Sequence, residues 1–90
     1  MKSYDWLKDV SYDYDVLIVY VRFNPHDYEE KLGIKHGHLV DKNCFGNSLD
    51  YFKVDKVLVI IHTDDSIIIK SEKEADVNKV LEYIDKIVSL

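Results

Sequence analysis

The sequence predicts an α+β domain: a small, mainly antiparallel β-sheet with a C-terminal amphipathic helix packed on one face and a short helix after the first strand. Three features carry this. Asp15–Phe23 is rich in β-branched and aromatic residues. Lys56–His62 and Ser66–Lys70 are apolar runs split by Thr63-Asp64-Asp65, the chemistry of a tight hairpin turn. Val77, Val80, Leu81, Ile84, Ile87 and Val88 recur at helical spacing. At 90 residues, 47% hydrophobic and 32% charged, the chain suits a single compact domain over 1–90.

Taken in chain order, Tyr4, Trp6, Leu7 and Val10 have the spacing of a short first helix. In Asp15–Phe23 one alternate set is Leu17, Val19, Val21 and Phe23, and the other, Val16, Ile18, Tyr20 and Arg22, is apolar for most of its length. Such a strand is covered twice, or its second face meets a partner. Asn24-Pro25 suits a helix N-cap and first turn, Asp27, Glu29 and Glu30 favour the positive end of the dipole, and Gly33 suits the C-terminal stop. The result is a short helix over 25–32 with Tyr28 and Leu32 inward. Residues 34–40 read as a short strand and 41–48 as loop. Leu49–Val54 reads as a strand or a helical turn, with a turn capped by Ser48 preferred.

After the hairpin, Ser71 and Glu74 have capping-box spacing and open a helix to about Ser89. Its outer face carries Glu72, Lys73, Asp76, Lys79, Glu82 and Lys86. The order β-α-(β)-β-β-α resembles part of a ferredoxin-like unit, although the loop between the halves departs from that pattern. A sheet of three to five strands is expected.

Composition narrows function. Twelve basic against 17 acidic residues give a formal net charge of −5, which disfavours direct nucleic-acid binding through phosphate contacts. The longest apolar runs, Val16–Val21 and Val57–Ile61, are far short of the ~20 residues a bilayer span needs. The opening Met-Lys-Ser-Tyr-Asp-Trp is unlike a secretory leader. A single cysteine, Cys44, cannot form an internal disulfide, and a reducing cytoplasm is the expected setting.

The residues able to carry chemistry are few. His36 and His38, two apart in a strand, would share a face, with Cys44 six residues on and His26 and His62 able to approach in space. Nitrogen and sulfur donors suit zinc, yet the spacing matches no finger or ribbon, so these are weak metal candidates and no cofactor is expected. Cys44, between Asn43 and Phe45-Gly46, lies in no nucleophile motif and reads as packing. Asp64-Asp65 read as turn residues that satisfy turn amides rather than as an acid–base pair. Phosphate loops, serine elbows and dinucleotide fingerprints do not occur.

What remains is a stretch in which rings alternate with carboxylates: Tyr4, Asp5, Trp6, Tyr12, Asp13, Tyr14 and Asp15. Aromatic side chains dominate binding energy at interfaces, and acidic groups around them would steer a basic partner. The expectation is a small acidic, non-enzymatic protein-binding module, inhibitor- or antitoxin-like, that masks a basic nucleic-acid-binding surface. The alternatives are a metal- or small-ligand-binding domain built on a His/Cys cluster, or a subunit of a small oligomeric enzyme. Val16, Ile18 and Ile68 on the sheet's second face further suggest a homodimer.

Overall fold

The computed structural model describes residues 4–13, 16–38, 48–62, 64–71 and 73–89. The elements are β1 (Leu7–Asp13), β2 (Val16–Val21), a 3-10 turn (Pro25–Tyr28) running into α1 (Glu29–Leu32), β3 (Lys35–His38), β4 (Ser48–Val54), β5 (Val57–Ile61), β6 (Ile67–Ile69) and α2 (Glu74–Val88). The strands form a six-stranded sheet in the order β1-β2-β6-β5-β4-β3. Every neighbouring pair is antiparallel. The α+β class with a C-terminal helix on one sheet face is what the sequence predicts.

The strand count exceeds expectation because two helical readings give way to strands. In β1, Val10 pairs with Val19 and Tyr12 with Leu17, placing the apolar alternates toward the helix side and Asp9 and Ser11 on the other. That period of two prevails over the helical spacing of Tyr4, Trp6, Leu7 and Val10, because Trp6 lies in a turn before the strand. The Leu7 amide donates to the Tyr4 carbonyl at 3.1 Å, and the Arg22 amide donates to the Trp6 carbonyl at 2.8 Å. In β4, Phe52 and Val54 are buried while Lys53 is exposed, a strand alternation in place of the expected helical turn capped by Ser48.

Leu17, Val19, Val59, Ile67 and Ile69 are fully buried beneath α2, whose Val80, Leu81 and Ile84 are equally sealed. Each such side chain contributes about 1.5–3 kcal/mol. The expected capping box is replaced: α2 starts at Glu74 with Lys73 as N-cap. The Ser71 hydroxyl instead accepts from the Lys73 amide (3.2 Å) and donates to Asp76 Oδ2 (2.9 Å), two residues beyond Glu74.

The short helical segment forms as read. Asn24 Oδ1 accepts from the His26 amide at 3.0 Å, Pro25 takes the first position, and Gly33 ends α1 at φ 78°. The Tyr83 hydroxyl donates to the Leu32 carbonyl at 3.0 Å, tying this segment to α2. In the β5–β6 hairpin, Asp64 Oδ1 accepts from both the Ser66 amide (3.0 Å) and its hydroxyl (2.5 Å). These donors, the hydroxyl first, hold the Asp64 carboxyl below the usual carboxylate range. Asp65 supplies the left-handed residue of the turn at φ 68°.

Candidate functional site

Cross-strand register decides which side chains meet. One row across the sheet reads Val10, Val19, Ile67, Ile61, Asp50, His36, from β1 to β3. Its apolar members lie under α2, so its polar end, Asp50 and His36, projects on the same side at the sheet's β3 edge. The 3-10 turn and α1 bring His26 and Glu29 to that corner. The β5–β6 turn brings Asp65.

The groups are close and ordered. His26 Nδ1 lies 3.0 Å from Glu29 Oε1 and 3.6 Å from Asp50 Oδ2. His36 contacts the other oxygen of each carboxylate: Nδ1 to Asp50 Oδ1 at 2.5 Å, Nε2 to Glu29 Oε2 at 3.5 Å. Behind His26, Nε2 is 3.7 Å from Asp65 Oδ1. The hydrogen bond to Asp50, that carboxylate's charge and the nearby Glu29 raise the His36 pKa above the ordinary imidazole value. His26, Glu29 and Asp50 each offer a ligand atom within 4.8 Å of the others.

A second feature is the sheet face opposite α2. The row there reads Ser11, Ile18, Ile68, Ile60, Tyr51, Lys35. Ile60 is 1% exposed, although the main core does not include it. Ile18, Ile68 and Tyr51 are half-buried, with half-buried Val16 and Leu58 and exposed Tyr20 beside them. The face changes character from edge to edge: Asp9 beside Tyr20 at the β1 side, then the isoleucines, then exposed Lys53 and Lys35 on β4 and β3.

A cleft at the start of α2 is lined by Lys56, Lys70, Lys73 and Lys79, with Asp55 and Asp76 among them. Lys79 Nζ is 3.0 Å from Asp55 Oδ2, so part of its positive charge is met internally.

Among the described residues, those expected to bind a basic partner do not all lie at the surface. Trp6 is a correction: its indole is buried in the core, with Nε1–H donating to Asp85 Oδ1 at 2.9 Å. Tyr4 is half-buried and stacked on it at 5.0 Å. Phe23 meets the indole edge-on at 5.7 Å. Asp5 is exposed and Tyr12 is 73% exposed. Asp13 ends β1 opposite Val16, while Tyr14 and Asp15 lie outside the described residues.

The histidine candidates also separate. His36 and His38 both lie in β3, as expected, and Cys44 lies outside the described residues. His62 belongs to the β5–β6 turn, where Nδ1 is 3.3 Å from Asp64 Oδ1. The partners that do surround His36 are Asp50, Glu29 and His26. Only the His26–Glu29 spacing at a helix start was available in the sequence; the His36–Asp50 pairing needed the β3–β4 register.

No family model, curated protein or solved structure matches the chain. Among the described residues, no helix is long and apolar enough to cross a membrane.

Proposed function

We propose that the chain is a small, non-enzymatic protein-binding module that works through the helix-free face of its sheet, and that the occupant of this face is a second copy of the chain. The observation behind it is the half-buried Ile18, Ile68 and Tyr51 in one cross-strand row, with Val16, Leu58 and exposed Tyr20 beside them, an apolar band that no described helix crosses. Two such sheets packed face to face would lie about 10 Å apart with their strands some 30° askew.

Charge selects the arrangement. A two-fold axis parallel to the strands sets β1 of one copy over β3 and β4 of the other, so Asp9 comes within about two residues along the strand of Lys35 of the other copy. An axis across the strands would set β1 against β1 and β3 against β3, so Asp9 and Lys35 would be kept apart. The first arrangement is self-complementary, as a two-fold interface requires. Capture of a basic partner by the aromatic–acidic stretch finds less support, since Trp6 is in the core and Tyr4 packs on it. A cytoplasmic setting belongs to this reading, on the strength of the single cysteine.

Sedimentation equilibrium tests it. The native chain should be dimeric at micromolar concentration. Asp9→Lys should weaken the dimer, Lys35→Asp should do the same, and the double variant should recover part of the loss. Both side chains are exposed, so folding should survive each change. A native monomer up to several hundred micromolar refutes the reading, and so does a dimer indifferent to both substitutions.

A further inference from the structure

We propose that His26, Glu29 and Asp50 form a binding site for a divalent transition-metal ion, zinc foremost, with His36 and Asp65 as the groups that orient the ligands. The ligand atoms are His26 Nδ1, Glu29 Oε1 and Asp50 Oδ2. In a tetrahedral zinc site with bonds of 2.0–2.2 Å, neighbouring ligand atoms stand about 3.3–3.6 Å apart. His26 Nδ1 lies 3.0 Å from the Glu29 oxygen and 3.6 Å from the Asp50 oxygen, and all the ligand atoms fall within 4.8 Å of one another. The separations bracket the required edge, so an ion needs side-chain adjustment and no change of backbone.

The outer contacts strengthen the case. Metal-bound histidine typically donates its second N–H to a carboxylate, which fixes tautomer and ring orientation. Asp65 Oδ1 lies 3.7 Å from His26 Nε2, near enough to accept that proton after a small side-chain shift once Nδ1 is given to the metal. His36 spans the carboxylate oxygens that face away from His26, Asp50 Oδ1 and Glu29 Oε2. It therefore holds both ligand carboxylates with their inner oxygens toward one point. Three separate parts of the chain supply the ligands and orienting groups around that point: the helical segment, the β3–β4 pair and the β5–β6 turn.

Donor chemistry sets the class of ion. One neutral imidazole and two carboxylates cancel the charge of a divalent cation. Imidazole favours zinc and its first-row neighbours over magnesium and calcium, which prefer all-oxygen shells. Three protein ligands leave a coordination position for water, and partial exposure of the corner gives the ion a way in. Surface histidines bound to nearby acids are common; what distinguishes this corner is that both nitrogens of each ring already have carboxylate oxygens beside them.

The test uses tag-free full-length protein, stripped with chelator and titrated with zinc chloride by calorimetry, with magnesium chloride run in parallel. One equivalent of zinc should bind in the micromolar range or tighter, and magnesium should bind far more weakly. His26→Gln and Asp50→Asn should each abolish saturable binding. His36→Phe should weaken it about 10–100-fold, the usual effect of removing an orienting partner. Cys44→Ser and His62→Gln should leave it unchanged, and circular dichroism should show every variant folded. Cobalt(II) should give the intense visible bands of a four-coordinate ion with the native chain and lose them with His26→Gln. Zinc that fails to saturate below millimolar, magnesium that binds as tightly, or binding that survives His26→Gln but is lost in Cys44→Ser overturns the assignment.

Discussion

Substitution of Trp6, the chain's only tryptophan, tests the core at its least expected point. The indole is 8% exposed, is flanked by Tyr4 and Phe23, and donates to Asp85 Oδ1 at 2.9 Å. Trp6→Phe keeps most of the apolar contact and removes the donor. Asp85 still accepts from the Ser89 hydroxyl at 2.8 Å, so it is not orphaned. The loss should then be near the lower end for a hydrogen bond to a charged group, about 1.5 kcal/mol, plus a smaller packing term. Trp6→Ala empties a largely buried site and should cost about 3–5 kcal/mol. Domains of this size hold about 5–15 kcal/mol in all, so the alanine variant should be marginal. Urea unfolding followed by far-ultraviolet circular dichroism measures both, and the native chain's tryptophan emission should be blue-shifted, then move red on unfolding. A Trp6→Ala midpoint within error of the native one, or emission already water-like in the native state, refutes the buried indole and the packing of β1's leading turn against α2.

Other outcomes follow from the same contacts. Leu81→Ala, at a site with no solvent exposure, should destabilise by about 2–5 kcal/mol in urea titrations. Gly33→Ala meets no atom within 4 Å but must hold φ 78°, so its cost should be the backbone term alone, about 1–2 kcal/mol, and Gly33→Asn should cost less. Asp64 is held below the ordinary carboxylate range by Ser66, so its charge stabilises the fold above that range and the contribution is lost as pH falls through the depressed value. The native chain's advantage over Asp64→Asn should therefore be full near neutrality and shrink in strong acid; an advantage independent of pH contradicts the assigned hydrogen bonds.

Elements whose pattern is local were legible in the sequence, and those needing a distant partner were not. β2, the β5–β6 hairpin, the 25–32 helical segment and the apolar stripe of α2 each announce themselves through period, cap or turn residues. β1 misled because Trp6 and Leu7 straddle a turn, so their spacing mimicked a helix; the alternation of Asp9, Ser11 and Asp13 with Val10 and Tyr12 was the better signal. β4 misled because Ser48 looks like a cap, and only pairing with β3 and β5 makes Leu49–Val54 extended. The site followed the same rule. His36 was visible as a candidate, while Asp50 is one aspartate among many until the register sets it opposite.

That register also explains how one thin sheet can serve two roles. Along β3 and β4, Lys35 and Tyr51 point to the helix-free face, while their neighbours His36 and Asp50 point to the helix side. The proposed dimer surface and the proposed metal corner thus share strands but no side chains. Sequence distance between the two sets is a single residue, and a one-residue slip of β3 would exchange their faces. Burial of Phe52 and Val54 under α2 fixes the faces of β4, and the pairing of Lys35 with Tyr51 and His36 with Asp50 carries that alternation into β3. The two proposals are therefore separable by experiment. Asp9 and Lys35 variants should change self-association without touching zinc affinity, and His26 and Asp50 variants should do the reverse. Coupling between them would mean that the strands do not hold the alternation on which both depend.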